Sequence, residues 1–400
     1  MFLNGKNVRI VLTAARLLTP HSEIDQPVVV IEDGRITGIA SRGALEEPQN
    51  AARLDFPEAT LVPSYLDVHI HGAMGHDVME GTSDALNSVG RFLARHGVGA
   101  FLPTTVTAPV DATLHALEGI AQQIEAADRA EISLDSDCGA RPLGIHLEGP
   151  FLSHSKRGVH PPEHLQKPSL ELLQRFWQAS RGHIVLMTVA PELHGASELI
   201  QEAKRLGIRI SLGHSNANTK EAKDGIAAGA VSATHTFNAM RALDHREPGL
   251  LAVVLDDADL FAELICDGVH VDPLLVRLFH KAKGLDRSIL ITDATSATGM
   301  PEGVYKLGGF EVTVADGKCT LDGNLAGSVL TLDQAIRNFV EFTQATYGVA
   351  VQYASTNPAQ MAGFADTYGE LTAGRPANIT VLSPLGEVRS ILLKGRVFTA

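Results

Sequence analysis

The sequence predicts an α/β protein: a (β/α)8 TIM-type barrel with a small β-sandwich domain built from both chain termini. Three observations carry this expectation. Short β-branched runs and tight turns fill the N-terminal part of the chain and return near its C-terminal end. Between them, eight apolar strand-like runs alternate with helix-patterned segments. Five of those eight runs end on a side chain able to hold a metal ion. Alternation of this kind belongs to parallel strands joined by helical crossovers, and eight such units match a closed barrel. A doubly wound sheet fits the alternation equally well, so the chemistry at the strand ends favours the barrel.

Near the N-terminus, Val28-Val29-Val30-Ile31 is followed by Glu32-Asp33-Gly34-Arg35 and then Ile36-Thr37-Gly38-Ile39. An Asp-Gly pair between two β-branched runs is a hairpin signal. The same texture reappears in Gly369–Leu371, Ala377–Leu382, Val388–Leu393 and Gly395–Val397. Residues 1–62 together with 365–400 are therefore expected to form the small β domain, and 63–364 the barrel. Its candidate strands are Leu66–His71, Ala100–Thr105, Pro142–Glu148, Ile184–Ala190, Ile208–His214, Val231–His235, Phe261–Asp267 and Ile289–Asp293. Helical spacing of apolar residues marks Ser83–His96, Leu170–Ala179, Ala196–Leu206, Thr219–Ala228 and Pro273–Lys283. The segment Tyr305–Asp322 reads as an inserted hairpin.

Composition narrows the function. The 400 residues are 44% hydrophobic, and 37 Gly with 19 Pro fall well short of low complexity, so the chain can bury a core. Lys plus Arg number 33 against 46 Asp plus Glu, a formal net charge of −13, with no basic block. That balance repels a polyphosphate backbone and excludes a nucleic-acid partner, while leaving room for a small phosphorylated substrate. Cys138, Cys266 and Cys319 form no CxxC pair and read as buried, reduced thiols of a cytosolic protein. The N-terminal segment lacks the apolar core and cleavage site of a secretion signal, and no run of about 18 apolar residues occurs. A soluble, cytoplasmic protein without membrane contact is expected.

The strand ends carry the chemistry. The first run ends Asp67-Val68-His69-Ile70-His71, and a period of two places both imidazoles on one face of a strand. The third ends His146-Leu147-Glu148, the fifth Gly213-His214, the sixth Thr234-His235 and the eighth Thr292-Asp293. Barrel active sites gather side chains from the C-terminal ends of several strands, which is this distribution. Imidazoles and carboxylates without thiolates suit zinc, iron, cobalt or manganese, and the absence of closely spaced cysteines argues against a closed structural zinc site. A catalytic divalent-metal centre is expected, with zinc as the first choice.

These motifs together resemble the amidohydrolase superfamily and, within it, the N-acetylglucosamine-6-phosphate deacetylase family. The superfamily pattern is similar to His69/His71, His214, His235 and Asp293. The narrower family is suggested by His146-Leu147-Glu148-Gly149-Pro150-Phe151 with Gly158 and His160, by Gly213-His214-Ser215, and by His235-Thr236-Phe237-Asn238-Ala239-Met240. Arg246-Glu247-Pro248-Gly249, Asp267-Gly268-Val269-His270, Thr292-Asp293-Ala294 and Leu325-Ala326-Gly327-Ser328 complete the set. The fourth strand, Ile184–Ala190, has no lysine, unlike relatives that bridge two metals with a carboxylated lysine there; the resemblance assigns that place to Glu148. Some family members lack the strand-1 histidines and hold one metal. This chain keeps both, so one or two ions per subunit fit, two being expected, with His69 and His71 on one, His214 and His235 on the other, and Glu148 between.

An acetamide is a poor electrophile with a poor leaving group, so its hydrolysis needs both a nucleophile and an acid. A divalent cation lowers the pKa of bound water towards about 7 and so supplies the nucleophile. Asp293 is expected to take up the proton and return it to the departing amine. The resemblance implies that His270 polarises the carbonyl, that His160, Asn238 and Ala239 contact the sugar phosphate, and that Arg246 clamps the phosphate from a neighbouring subunit of a homodimer. Lys156, Arg157, His76, His154, His164, His194 and His245 lie off the strand-end pattern and are read as structural or surface groups. Two alternatives stay open: a related amidohydrolase acting on N-acetylgalactosamine 6-phosphate or another N-acyl substrate, and a non-catalytic scaffold on the same fold.

Overall fold

The computed structural model describes residues 9–129 and 139–399, and Cys138 lies outside them. Eight strands form the barrel: Tyr65–Ile70, Val98–Thr105, Ile145–Glu148, Ile184–Val189, Arg209–Leu212, Ala230–Ala233, Phe261–Ile265 and Ser288–Ile291. Each pairs in parallel with the next. Their residues are almost all buried, as expected of parallel strands covered on both faces. The eighth strand meets the first through a short seam. There the Asp293 N–H donates to the His69 carbonyl at 2.9 Å, and the His71 N–H donates to the Ala294 carbonyl at 2.8 Å.

The crossover helices follow from local signals. Thr82 Oγ1 accepts from the Ala85 N–H and starts Ser83–Arg95, whose buried Ala85, Leu86, Val89 and Leu93 form one helical stripe. Asn218 and Glu221 form a reciprocal capping box at the head of Thr219–Ala228. Ser169 caps Leu170–Ala179 in the same manner as Thr82, burying Leu172, Leu173 and Phe176.

The strand ends differ from expectation in a consistent way. The fifth, sixth and eighth strands stop at Leu212, Ala233 and Ile291, each two residues short of His214, His235 and Asp293. Those three residues have φ of 47°, 28° and 52°, in the left-handed region, so each leaves the ladder as the chain turns outward. The third strand is also shorter than expected: Arg141–Pro142 pairs separately with Val98–Thr105, and the strand proper begins at Ile145.

Both termini enter one eight-stranded, mostly antiparallel sheet, with Arg9–Thr19 and Ala52–Pro63 as its parallel pair. Pro27–Glu32 and Arg35–Ser41 make the expected hairpin, and Asp33 and Gly34 at its tip both have positive φ, as a two-residue turn of this kind requires. Strand alternation sends Ile10, Leu12 and Ala14 to one apolar cluster with Val29, Leu61, Ile379 and Leu392, and sends Val11 to the other face with Val28 and Val30. From the C-terminal part, Ile379–Leu382, Val388–Leu393 and Arg396–Thr399 join this sheet, whereas Gly369–Leu371 forms no strand. Thr380 Oγ1 donates to the Gly97 carbonyl at 2.8 Å and ties the sheet to the barrel.

The inserted segment is larger than a hairpin. Gly303–Leu307, Phe310–Ala315, Lys318–Leu321 and Asn324–Leu325 form a four-stranded antiparallel meander over a small core of Leu307, Val312, Val314 and Cys319. Val159 packs on that core, and the Gly308 N–H donates to Asp77 Oδ2 at 2.6 Å, so the meander is anchored beside the loops that leave the first and third strands. Among the described residues no helix is long and apolar enough to cross a membrane.

Candidate metal centre

His69, His71, Glu148, His214, His235 and Asp293 meet at the C-terminal mouth of the barrel, all buried. Glu148 sits at the middle. Its Oε1 lies 3.2 Å from Nε2 of both His214 and His235 and 3.5 Å from Nε2 of His69. Its Oε2 lies 3.4 Å from Nε2 of His71. Asp293 Oδ1 lies 3.1 Å from His71 Nε2 and 3.6 Å from His69 Nε2. Every one of the four imidazoles therefore turns Nε2 towards the two carboxylates.

The outer ring nitrogens explain why. Nδ1 of His69 faces Glu263 Oε2 at 3.1 Å, Nδ1 of His71 faces the Thr104 carbonyl at 2.9 Å, and Nδ1 of His214 faces the Lys156 carbonyl at 2.9 Å. All three partners only accept, so Nδ1 carries the hydrogen and each Nε2 keeps a lone pair for the centre. His235 is held instead through its backbone N–H, which donates to Glu263 Oε2 at 3.2 Å. Gly158, with φ of 58°, approaches so closely that a Cβ there would sit 3.3 Å from Cε1 of His214, which packs the Lys156–Gly158 turn onto that ring.

This arrangement fits a cation. Nε2 of His69 and Oε1 of Glu148 are buried without a hydrogen-bond partner among the described residues. Nε2 of His214 and Nε2 of His235 are 3.0 Å apart, a spacing at which two lone pairs repel unless a proton or a metal lies between or beside them. The donor set of imidazoles and carboxylates suits zinc and other divalent first-row metals. Two separate groups among the described residues offer three ligand atoms each: His69, His71 and Asp293, and Glu148, His160 and His214.

Proximity admits His160 to the second group, but its tautomer does not. The Thr107 N–H donates to His160 Nδ1 at 3.2 Å, and Thr107 Oγ1 lies 2.8 Å from the same nitrogen. Nδ1 is thus an acceptor, Nε2 carries the hydrogen, and that N–H points at Glu148 Oε2, 3.5 Å away. His160 is a donor beside the centre, and His235 supplies the nitrogen opposite His214.

Electrostatics follow from the crowding. Burial pushes the Glu148 carboxyl up, but the imidazoles of His69, His160, His214 and His235 around it outweigh burial and hold Glu148 well below the usual carboxylate range. Asp293 behaves alike: burial opposes ionisation, and the imidazoles of His69 and His71 keep it ionised. His270 stands beyond the seventh strand with Nδ1 on Asp267 Oδ2 at 2.6 Å. Burial works against its charge, yet the Asp267 hydrogen bond and charge, with Asp293 adding to them, raise its pKa above the ordinary value.

The remaining expected residues are placed as follows. Asn238 follows His235, its backbone N–H donating to the His235 carbonyl at 3.0 Å, and Ala239 has φ of 51° beside it. The Ala239 N–H has no partner among the described residues. Arg246 lies in an exposed loop after the sixth strand, and its guanidinium has no partner among the described residues. Cys266 and Cys319 are buried and free. Sequence reasoning missed Glu263, Asp67 and His146 as supports. Asp67 Oδ2 accepts from Thr292 Oγ1 at 2.6 Å, and His146 packs edge-on against His69 with its Nε2 2.8 Å from Thr188 Oγ1. The one signal available for Glu263 was an acid inside the apolar run Phe261–Ile265.

This chain is similar to several known proteins. The profile described as "Amidohydrolase family" matches residues 60–398. An N-acetylgalactosamine-6-phosphate deacetylase of Escherichia coli O157:H7 is 37% identical over 388 residues, covering 97% of this chain and 98% of the relative. An N-acetylglucosamine-6-phosphate deacetylase of Bacillus subtilis (strain 168) is 35% identical over 382 residues, covering 95% of each. Among solved structures, a mutant N-acetyl-D-glucosamine-6-phosphate deacetylase of Mycobacterium smegmatis, in complex with N-acetyl-D-glucosamine-6-phosphate, superposes with a TM-score of 0.90 at 32% identity, covering 99% of this chain and 100% of that one. The chain belongs to the amidohydrolase family, in the branch of the N-acetyl amino-sugar 6-phosphate deacetylases.

Proposed function

We propose that this protein hydrolyses N-acetyl-D-glucosamine 6-phosphate to acetate and D-glucosamine 6-phosphate. The observation that carries the proposal is the set of inward-facing Nε2 lone pairs of His69, His71 and His214, fixed by their outer hydrogen bonds around Glu148 and Asp293. Such a site holds one or two divalent ions, with zinc as the first choice. His69 and His71 would hold one and His214 and His235 the other, with Glu148 between them and Asp293 beside the strand-1 pair. When bound, the metal supplies a water acidified to near neutrality and a Lewis acid for the carbonyl.

The chain's own residues do the rest. Asp293, ionised and at the mouth of the site, accepts a proton from the attacking water and returns it to the amine nitrogen as the C–N bond breaks. His270, with Nδ1 committed to Asp267, presents its Nε2–H to the developing oxyanion. His160, whose Nε2–H lies 3.5 Å from Glu148 Oε2, too far for a good hydrogen bond, offers it to a sugar hydroxyl, and Asn238 with the unpartnered Ala239 N–H offers donors to the phosphate. Arg246, exposed and unpaired, supplies a bidentate phosphate clamp to the site of a second subunit in a homodimer. The catalytic domain is assigned to residues 63–364 and the small β domain to 1–62 with 365–400, in a protein that works in the cytoplasm.

A second reading is favoured by one specific observation: the 37% identical relative is a deacetylase of the galactosamine epimer. Acetate release by metal-reconstituted protein, measured on both epimers with and without the 6-phosphate, decides. The proposal expects the highest kcat/KM on N-acetylglucosamine 6-phosphate and a large loss without phosphate. A higher value on the galactosamine epimer replaces the substrate, and no acetate from any of the four with metal bound overturns the deacetylase reading.

A further inference from the structure

Glu263 is buried inside the barrel, on the seventh strand, where a carboxylate has no solvent and no lysine or arginine within ion-pairing distance among the described residues. Its Oε2 receives two hydrogens: one from Nδ1 of His69 at 3.1 Å and one from the backbone N–H of His235 at 3.2 Å. Its Oε1 is buried with no hydrogen-bond partner among the described residues. A carboxylate in that position is held at substantial cost unless positive charge lies within reach. Among the described residues no lysine or arginine balances it, and a bound cation would do so from the far side of the His69 ring, where Nε2 faces Glu148 and Asp293.

Glu263 itself is not a ligand, because the His69 ring stands between it and the centre. We infer that Glu263 is a positioning residue that orients both halves of the metal site at once, fixing the tautomer of His69 through Nδ1 and the backbone of His235 through its N–H. This rests on the metal-centre reading above and adds to it a residue outside the ligand set. Two consequences follow from the chemistry. A hydrogen bond to a carboxylate makes the opposite ring nitrogen of His69 a stronger donor than the carbonyl partners of His71 and His214 make theirs. The second bond fixes His235 at the left-handed turn, φ of 28°, that aims its Nε2 at Glu148. Loss of Glu263 is therefore felt at both ligand pairs, although it touches only one imidazole.

The test is cobalt(II) binding to metal-free protein, read by the visible d–d absorption and by total metal content, for the wild type and for Glu263→Gln, Glu263→Leu and Ser232→Ala. Ser232 is equally buried, on the sixth strand, and its Oγ has no hydrogen-bond partner among the described residues, so it controls for disturbance of the interior. The inference expects Glu263→Leu to weaken binding by roughly 10–100-fold and to change the cobalt spectrum, since removing an outer partner of a ligating histidine has that effect. Glu263→Gln, whose amide oxygen still accepts from Nδ1 but carries no charge, should fall between the two, with a smaller loss of affinity and a shifted spectrum, and Ser232→Ala should bind as the wild type does. Folded Glu263→Leu with wild-type affinity and spectrum overturns the inference. If that variant does not fold, Glu263→Gln decides: a weaker, spectrally shifted site supports the role and an unchanged one overturns it. Wild-type protein that binds no cobalt would remove the metal centre itself, a different failure.

Discussion

Asp293 donates its backbone N–H to the carbonyl of His69 at 2.9 Å, so the hydrogen bond that helps close the barrel also sets the Asp293 carboxylate against the histidine pair. Its Oδ1 then lies 3.1 Å from His71 Nε2, and its φ of 52° turns the side chain across the mouth rather than along the strand. Because the seam uses backbone groups, Asp293→Asn keeps it intact. The variant should fold with an unchanged thermal midpoint and still take up metal through the histidines, while kcat falls on the order of 10²–10⁴-fold for loss of the proton carrier. Stopped-assay acetate release with metal analysis on the same sample checks this, and near-normal kcat would remove Asp293 from the proton path.

His160 and His214 sit edge to face at 4.6 Å, both against Glu148, yet their hydrogen-bond partners give them opposite tautomers. His214→Ala should therefore lose metal, whereas His160→Ala should retain full metal content and lose kcat/KM through a missing donor to substrate. Equal loss of metal in both variants would make His160 a ligand and contradict the Thr107 assignment.

Much of this site was legible because imidazoles and carboxylates are conspicuous at the ends of apolar runs. The period-two spacing of His69 and His71 put both rings on one face, where they stand 5.3 Å apart and share Asp293. What was not legible has physical reasons. A left-handed turn at a non-glycine residue leaves no residue signature, so the strands appeared to run through His214, His235 and Asp293. Glu263 looked like an ordinary strand acid, because its partners His69 and His235 are distant in sequence and only barrel closure makes them neighbours. In the meander, polar turns between short alternating strands signalled one hairpin, and the pairing of Lys318–Leu321 with Asn324–Leu325 was too short to register.

Outside the centre, Asp333 joins two helices: it accepts from His96, at the C-terminal end of Ser83–Arg95, at 3.0 Å, and from Arg337 at 2.9 Å. Burial raises its pKa, but the His96 hydrogen bond and charge, with Arg337, win and bring it from 3.8 to about 2. A depressed carboxyl stabilises the fold above its unfolded pKa and loses that contribution as pH falls from about 4 through 2. Near two pKa units correspond to about 2 kcal/mol. Asp333→Asn should therefore be less stable than the wild type by about that amount at pH 7, and the difference should close as pH falls towards 2. Denaturant titrations of both proteins across that range check it, and a pH-independent gap would mean that packing, not charge, sets the loss.

Arg246 gives the last prediction, and it separates a clamp in the same chain from one in a neighbour. Arg246 is exposed, and its guanidinium has no partner among the described residues. Arg246→Ala should raise KM for the phosphorylated sugar far more than for the sugar without phosphate, leaving metal content unchanged. If the arginine acts across a dimer, mixing Arg246→Ala chains with Asp293→Asn chains restores activity, because the site on the first chain has its own Asp293 and receives Arg246 from the second. Mixed subunits, refolded together and separated by differential tags, should recover about half the wild-type rate per dimer. If Arg246 serves its own chain, every site in the mixture lacks one group or the other and no activity returns.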